Sequence, residues 1–193
     1  MARNTPTKVS YRALLVLALV AVGGYALDQI SKALVVRVMT EGENVRVLGD
    51  VLQWHFVRNP GAAFSFATGL TWVFSLIAAG VVVFIVLFAR RIRSTRWALV
   101  FGLLLGGVLG NLTDRLFREP TFGMGHVIDF IYTPWMMPAI YNVADCCIVV
   151  SMVLFMLLTL RGMGLDGTRT PAAGAPVPAA APAEVPAVLP TPN

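Results

Sequence analysis

Four long apolar runs constrain this chain more than any other feature of its sequence. They cover about 13–36, 70–89, 97–115 and 138–160. Each can supply the roughly 20 mostly apolar residues that a membrane-spanning helix needs. Only 13% of all residues are charged, whereas soluble domains carry roughly 25%. The sequence therefore predicts an all-α membrane protein built on four transmembrane helices, with the peptide between 13 and 160 forming one unit.

Basic residues flank these runs on one side. These residues are Arg3, Lys8 and Arg12 before the first run, Arg90, Arg91, Arg93 and Arg96 in the short link between the second and third runs, and Arg161 and Arg169 after the fourth run. The positive-inside rule places both termini and the arginine link in the cytoplasm, and loops 39–69 and 116–137 outside. This topology accounts for the net charge of +5, so no nucleic-acid partner is predicted.

The two ends of the chain and the first outer loop carry weaker signals. Residues 1–12 are predicted to be a cytoplasmic N-terminus. Residues 161–193, rich in Pro and Ala after Gly167, are predicted to be a disordered cytoplasmic tail. In the first outer loop, loose alternation on both sides of Gly49 and Asp50 favours a short hairpin on the outer surface.

Two aspartates, Asp129 and Asp145, are the leading candidates for chemistry. Asp145 is the only charge in the fourth run and is predicted to lie about two helical turns inside it. A carboxylate in a membrane span is costly and therefore marks a functional site by default. If the preceding loop folds back, the two carboxyls can meet, and one would hold a proton while the other acts as a base. The alternatives are a loop residue or helix cap for Asp129 and a structural ion pair for Asp145.

Further polar and small residues accompany the pair near the outer ends of the runs. Asn142 precedes Asp145 by three residues, which predicts a shared helix face. In the third run, Gly102, Gly106 and Gly110 recur every four residues and favour close helix packing. An adjoining stripe contains Gly107, Asn111 and Asp114. For Asp114 and its neighbour Arg115, a structural role at the helix end is the favoured interpretation.

Asp28 and Lys32 in the first run are spaced to form an i, i+4 ion pair. The pair is either a helix-surface pair whose lysine reaches the interface, or a brace for the outer loop or a substrate. Asn59 and Gly61, just before the second run, offer a polar anchor and a site of close approach. His55 and His126 are isolated, so no metal site is predicted.

Five motifs occur in a fixed order around the four runs. They are DQISK at 28–32, RNPGAAF at 58–64, GGVLGNLTDR at 106–115, VIDF at 127–130 and YNVAD at 141–145. In these motifs the chain closely resembles lipoprotein signal peptidase, also called signal peptidase II, a family of bacterial intramembrane aspartic proteases. The resemblance covers about 11–160 and leaves the Pro/Ala tail outside.

The resemblance implies a fold, a reaction and a set of site residues. The fold is four transmembrane helices with a small extracytoplasmic β-cradle and a short outer helix in the first loop. The reaction removes the signal peptide from a diacylglyceryl-prolipoprotein just before its lipobox cysteine, in the bacterial cytoplasmic membrane. Asp129 and Asp145 match the catalytic dyad. The residues that match supporting positions are Asn59, Asn111, Asn142, Asp28, Lys32, Gly61, Gly107, Asp114 and Arg115.

The same resemblance implies that globomycin-type inhibitors occupy the dyad, and membrane lipid is a further expected partner. A monomer that needs no metal or organic cofactor is expected, because two carboxyls and water suffice for the reaction. Two other classes fit the residues alone. A small proton- or ion-coupled transporter would use Asp145 as its carrier site, and a non-enzymatic packing subunit would tolerate loss of either aspartate.

Overall fold

The computed structural model describes residues 9–61 and 71–169, and four helices form its body. They are α1 (Tyr11–Val38), α2 (Thr71–Phe88), α3 (Thr95–Phe117) and α4 (Val143–Leu160). Each is long and apolar enough to cross a membrane, by length and composition. The prediction of four apolar helices is confirmed.

Helix α3 is the centre of the bundle and packs against the other three helices. Its glycines explain the close approach to α1. A Cβ at Gly106 would lie 2.6 Å from the carbonyl oxygen of Ala21, and one at Gly102 would lie 2.9 Å from that of Leu17. Only glycine therefore fits at these positions, as the spacing of small residues predicts.

The outer surfaces of α1, α2 and α4 are apolar and exposed. Their exposed side chains include Leu15, Leu19, Val22, Leu76, Phe84, Val86, Val149, Met152 and Met156. In a soluble protein such a large apolar surface would promote aggregation. Here it suits contact with the acyl chains of a bilayer.

A four-stranded antiparallel sheet covers one end of the bundle. Its strands are β1 (Asn44–Leu48), β2 (Leu52–Asn59), β3 (Val127–Tyr132) and β4 (Ile140–Tyr141), in the order β1-β2-β3-β4. The hairpin predicted around Gly49 corresponds to β1 and β2, and the small sheet agrees with the fold that the resemblance implies. The expected short outer helix does not occur in 39–61, and the rest of the loop up to 70 lies outside the described residues.

The fourth helix begins later than hydropathy predicts. The apolar run starts near 138, but β4 occupies the first part of it and Asn142 is the N-cap of α4. Apolar content alone could not separate this short strand from the helix that follows it.

The prediction of a disordered tail from 161 onward is wrong for 161–169. The carbonyl oxygen of Leu165 accepts hydrogen bonds from the backbone N–H groups of Arg93 and Ser94, each at 3.1 Å. The indole of Trp97 donates to the carbonyl oxygen of Met163 at 3.2 Å. These bonds hold the segment against the link between α2 and α3. Residues 170–193 lie outside the described part of the chain.

Candidate active site

Asp129 lies in the middle of β3, with only 3% of its surface exposed. Its two carboxyl oxygens have separate partners. Asn59 donates to Oδ2 at 2.8 Å and Asn142 donates to Oδ1 at 2.6 Å. The pairing of Val57 with Asp129 and of Asn59 with Val127 in the β2–β3 ladder brings Asn59 to the carboxyl. The sheet therefore positions the first aspartate.

Asp145 lies in the first turn of α4, so the prediction that it is about two turns inside the helix is wrong. Its Oδ2 accepts the backbone N–H of Asn142 at 3.1 Å, and the side-chain oxygen of Asn142 accepts the backbone N–H of Asp145 at 3.0 Å. This reciprocal pair is a capping box, which satisfies two N–H groups at the start of the helix. Asn142 is thus the cap and not a residue on a shared helix face.

Two asparagine side chains connect the carboxyls. The amide nitrogen of Asn142 donates both to Asp129 and, at 3.1 Å, to Oδ1 of Asn111. The amide nitrogen of Asn111 donates to Oδ1 of Asp145 at 2.8 Å. The sequence prediction that the two aspartates share one site is supported by this chain of contacts, in which Asn142 binds both of them.

A buried ion cluster lies directly behind these amides. The ammonium group of Lys32 is 2.8 Å from Asp28 Oδ2, 2.8 Å from Asp114 Oδ2 and 2.9 Å from Asn111 Oδ1. Lys32, Asp28 and Asp114 are all fully buried. The interpretation of Asp28 and Lys32 as a surface pair with a lysine that reaches the interface is therefore wrong, because α3 covers both side chains.

The cluster also joins the helices to the strand that carries Asp129. Asp28 Oδ1 accepts the backbone N–H of Ala144 in α4 at 2.9 Å, and Asp114 Oδ2 accepts that of Ile128 in β3 at 3.3 Å. Ala144 and Ile128 each precede one of the two candidate aspartates. Asp28 and Asp114 consequently fix the backbone beside both carboxyls.

Two members of this network were not found from the sequence. The amide nitrogen of Gln29 donates to Asp28 at 3.1 Å and to the carbonyl oxygen of Gly110 at 3.1 Å. Arg118 lies 2.6 Å from Asp114 Oδ1, four residues along the chain. The i, i+4 spacing of Asp114 and Arg118 is a readable signal. Gln29 gives no periodic signal, because one partner is its neighbour Asp28 and the others, Gly110 and Asp114, lie on α3.

The remaining candidates shape the site. Gly61 has φ of +145°, which favours glycine, and its N–H donates to the side-chain oxygen of Asn59 at 3.0 Å. A Cβ at Gly107 would lie 2.9 Å from Ile148 of α4, so this glycine permits the approach of α4. Arg115 donates to the carbonyl oxygen of Asn111 at 3.3 Å, and its guanidinium lies over the ring of Phe74. The rest of the RNPGAAF motif, 62–64, lies outside the described residues.

Burial and the charge of Asp145 raise the pKa of Asp129 from its ordinary value of 3.8 to about 7. Desolvation disfavours the ionised form, and a neighbouring carboxylate disfavours it further. The amide donors of Asn59 and Asn142 act in the opposite direction. A carboxyl with such a pKa can hold a proton near neutral pH and release it during a reaction.

An apolar cavity of about 390 Å³ opens beside Asp145. Its lining consists of Asp145 with Met136, Met137, Tyr141, Cys146, Val149 and Val150. Asp145 is therefore a polar group at the edge of a surface that fits an apolar ligand. Within residues 9–61 and 71–169, no cluster of three His, Cys, Asp or Glu side chains has the geometry to hold a metal ion.

Comparison with known proteins assigns the chain to a family. Residues 20–161 match the family model described as signal peptidase (SPase) II. The chain is 62% identical over 177 residues to the lipoprotein signal peptidase of Leifsonia xyli. This alignment covers 92% of this chain and 82% of that protein. It is 46% identical over 164 residues to that of Rhodococcus jostii, over 85% of this chain and 82% of that protein.

The fold has a counterpart among solved structures. A bacterial membrane enzyme aligns with a TM-score of 0.65 and 25% sequence identity, over 81% of this chain and 93% of that one. These matches do not support the alternative of a small ion-coupled transporter. The protein belongs to the signal peptidase II family of membrane proteases.

Proposed function

We propose that Asp129 and Asp145 are the catalytic dyad of an aspartic endopeptidase. Its substrate is a prolipoprotein, cut just before the diacylglyceryl-modified cysteine. The observation that carries the proposal is the shared contact through Asn142, which hydrogen-bonds both carboxyl groups. The names of the relatives as lipoprotein signal peptidases support the substrate class.

The two carboxyls have different surroundings, and these suggest different roles. Asp129 is buried and its pKa is about 7, so it is the acid that holds a proton at the start of the reaction. Asp145 is half-buried at the N-terminus of α4, and its carboxyl accepts two hydrogen bonds, from the backbone N–H of Asn142 and from the side-chain amide of Asn111. The positive end of the helix dipole also favours a negative charge there. Asp145 is therefore the base.

The reaction follows from these roles. Asp145 removes a proton from water, and the water oxygen attacks the scissile carbonyl carbon. Asp129 gives its proton to the carbonyl oxygen, which forms a neutral tetrahedral intermediate. When the intermediate collapses, Asp145 returns its proton to the amide nitrogen and Asp129 regains one from a hydroxyl group. The C–N bond breaks, and the products leave as the carboxylic acid of the signal peptide and the amine of the lipid-modified cysteine, which become carboxylate and ammonium when a proton passes from one to the other through water.

The apolar surroundings of Asp145 fit a lipid-bearing substrate. The cavity beside it is adjoined by an apolar groove of about 300 Å³ farther along α4, and Val149 lines both. An acyl chain in this groove would place the modified cysteine near the carboxyls. Membrane lipid could occupy the same surface between reactions, and a globomycin-type inhibitor would bind across the dyad of the monomer.

The proposed orientation places both termini in the cytoplasm and the dyad toward the outer face of the bacterial cytoplasmic membrane. The arginine link between α2 and α3 supports this orientation through the positive-inside rule. The sheet lies at the opposite end of the bundle from that link, because α3 runs from the link to Asp114.

The test is cleavage of a purified diacylglyceryl-prolipoprotein by Asp129→Asn and Asp145→Asn, followed by gel mobility. Each variant should insert and fold, and each should lose about 10²- to 10⁴-fold in rate, the usual contribution of a general acid or base. Asp50→Asn is the matched control, because this aspartate is 82% exposed on the hairpin. Cleavage at the wild-type rate by either dyad variant would contradict the proposal. An equal loss of cleavage rate in Asp50→Asn would also contradict it.

A further inference from the structure

A second cleft lies at the end of the bundle opposite the dyad. Its volume is about 500 Å³, and its lining residues are Arg96, Leu158, Arg161, Met163, Gly167 and Arg169. Three of these six residues are arginines. Nothing in the proposed peptidase reaction uses them.

Three separate elements bring the arginines together. Arg96 lies in the first turn of α3, and Arg161 is the C-cap of α4. Arg169 comes from the segment that folds back after α4, where Met163 and Arg169 pair as an isolated β-bridge. Hydrogen bonds from the α2–α3 link to Leu165 hold this segment in place. The shape of the cleft is therefore set by the backbone of three elements and does not depend on the rotamer of a single side chain.

The positive charge of the cleft is not balanced within the described part of the chain. At the dyad end, Arg58 pairs with Glu41 and Glu119, and Arg118 pairs with Asp114. The three cleft arginines form no ion pair with a carboxylate of residues 9–61 and 71–169, and the guanidinium of Arg96 donates a hydrogen bond to the sulfur of Met163 at 3.2 Å. Like charges gathered around one cavity repel each other, so an anion that fills it would be stabilised.

Asp166, an acid in the segment that follows α4, has other partners. Asp166 does not line the cleft, and its Oδ1 accepts the N–H and the hydroxyl of Thr168 at 2.9 and 2.8 Å. It therefore shapes the turn of the segment and leaves the cleft open to an anion from outside.

Apolar surface extends from the cleft toward the centre of the bilayer. The groove along α4 reaches Leu157 and Leu160, and Arg161 is the next residue after Leu160 and one helical turn beyond Leu157. Leu158 and Met163 form the apolar part of the cleft itself. A ligand that fits has a negative head for the arginines and an apolar chain for α4.

We infer that this cleft binds the headgroup phosphate of an anionic phospholipid in the leaflet at the arginine end. Guanidinium groups pair with phosphate through two parallel hydrogen bonds, and basic pockets between membrane helices suit anionic headgroups. The acyl chain would lie along α4. The arginine cleft shares no residue with the cavity beside Asp145, and its test does not depend on peptidase activity, although the acyl chain would lie in the same α4 groove that the proposed function assigns to the substrate.

The experiment is native mass spectrometry of the full-length protein in a neutral detergent. The probes are phosphatidylglycerol and phosphatidylcholine with identical acyl chains. Wild-type protein should retain phosphatidylglycerol in preference to phosphatidylcholine. Arg96→Gln with Arg161→Gln should lower the affinity for phosphatidylglycerol roughly thirtyfold, since each basic residue near a lipid headgroup contributes about fivefold.

Arg90→Gln with Arg91→Gln is the control, because it removes the same charge from exposed residues at the same end that do not line the cleft. It should change the affinity by less than about threefold, because neither residue lines the cleft and exposed charges that do not contact a ligand are weakened by salt screening. If the first double variant does not fold, Arg169→Gln alone should still weaken retention about fivefold.

Three results would overturn the inference. Equal retention of the two lipids would remove the role of the negative headgroup. Equal losses in the two double variants would indicate general charge attraction rather than this cleft. Complete displacement of phosphatidylglycerol by millimolar inorganic phosphate would identify a site for a free anion instead of a lipid.

Discussion

Asn142 is the residue whose replacement best tests the reasoning about the dyad, because it has two separable roles. Its side-chain oxygen caps α4, and its side-chain nitrogen donates to Asp129 and Asn111. Asn142→Ala removes both roles. Asn142→Ser keeps an oxygen for the cap, since serine is a good N-cap, but has no amide to reach the carboxyl.

The magnitudes follow from these contacts. Loss of an N-cap costs about 1 kcal/mol, so Asn142→Ala should be less stable than Asn142→Ser by about that amount. Both variants lose the amide donor to Asp129, and a hydrogen bond to a charged group is worth about 1.5–3 kcal/mol. If that bond orients Asp129 in the transition state, kcat/KM falls by about ten- to a hundredfold in both.

The pH profile separates this positioning role from a purely structural one. The amide of Asn142 lowers the pKa of Asp129 against the larger effect of burial. Without this amide, the pKa of Asp129 should rise from its value of about 7. Because Asp129 would then keep its proton to higher pH, the alkaline limb of the kcat/KM profile should move to higher pH.

The assay measures cleavage of the lipid-modified precursor across pH, beside SDS-induced unfolding followed by circular dichroism. Ser10→Ala is the control for capping alone, because Ser10 caps α1 through a 3.3 Å bond to the N–H of Ala13. Wild-type kcat/KM with an unshifted profile in Asn142→Ser would refute the role of the amide.

Three further outcomes are expected. The kcat/KM of the unaltered protein should be retained below pH 7 and lost as the pH rises through about 7, because Asp129 must hold a proton to act as the acid; a flat profile through that range in the cleavage assay would exclude it as the acid. Lys32→Met should destabilise the protein by about 3–5 kcal/mol, since buried Asp28 loses its cation and Asp114 keeps only Arg118, whereas the exposed Arg37→Met should cost less than about 1 kcal/mol in the same unfolding titration. Gly106→Ala should destabilise by about 1–3 kcal/mol because the new Cβ meets the backbone of α1, whereas Gly23→Ala, with nothing within 4 Å, should be neutral or stabilising.

The helices and the pairing of the two aspartates could be predicted because their signals are local. Hydropathy marks a span wherever it occurs, and a lone carboxylate in an apolar run is conspicuous. The partners of Lys32 could not be predicted in the same way, because Asp114 and Asn111 come from a helix about 80 residues away in the sequence. The spacing of Asp28 and Lys32 indicates a pair but cannot indicate which face of α1 is buried.

The start of α4 was missed although a signal was present. Asn142 and Asp145 have the spacing of a capping box, in which a polar residue is followed three positions later by an acid. The apolar residues before Asn142 outweighed that signal. Strand β3 was also hard to predict from pattern, because four successive residues from Val127 to Phe130 are buried and no alternation appears.

The kind of group that contacts Asp129 explains how the proposed dyad can hold one proton. The direct side-chain partners of Asp129 are the neutral amides of Asn59 and Asn142, while Lys32 lies behind Asn111 and is paired with Asp28 and Asp114. A cation in direct contact would hold both candidate carboxyls in the ionised form, which would leave no acid for the reaction. Amides orient the carboxyls without neutralising their mutual repulsion, so that repulsion and burial can keep one of them protonated. The buried lysine therefore serves the site best at a distance, where it stabilises the helices that position both aspartates.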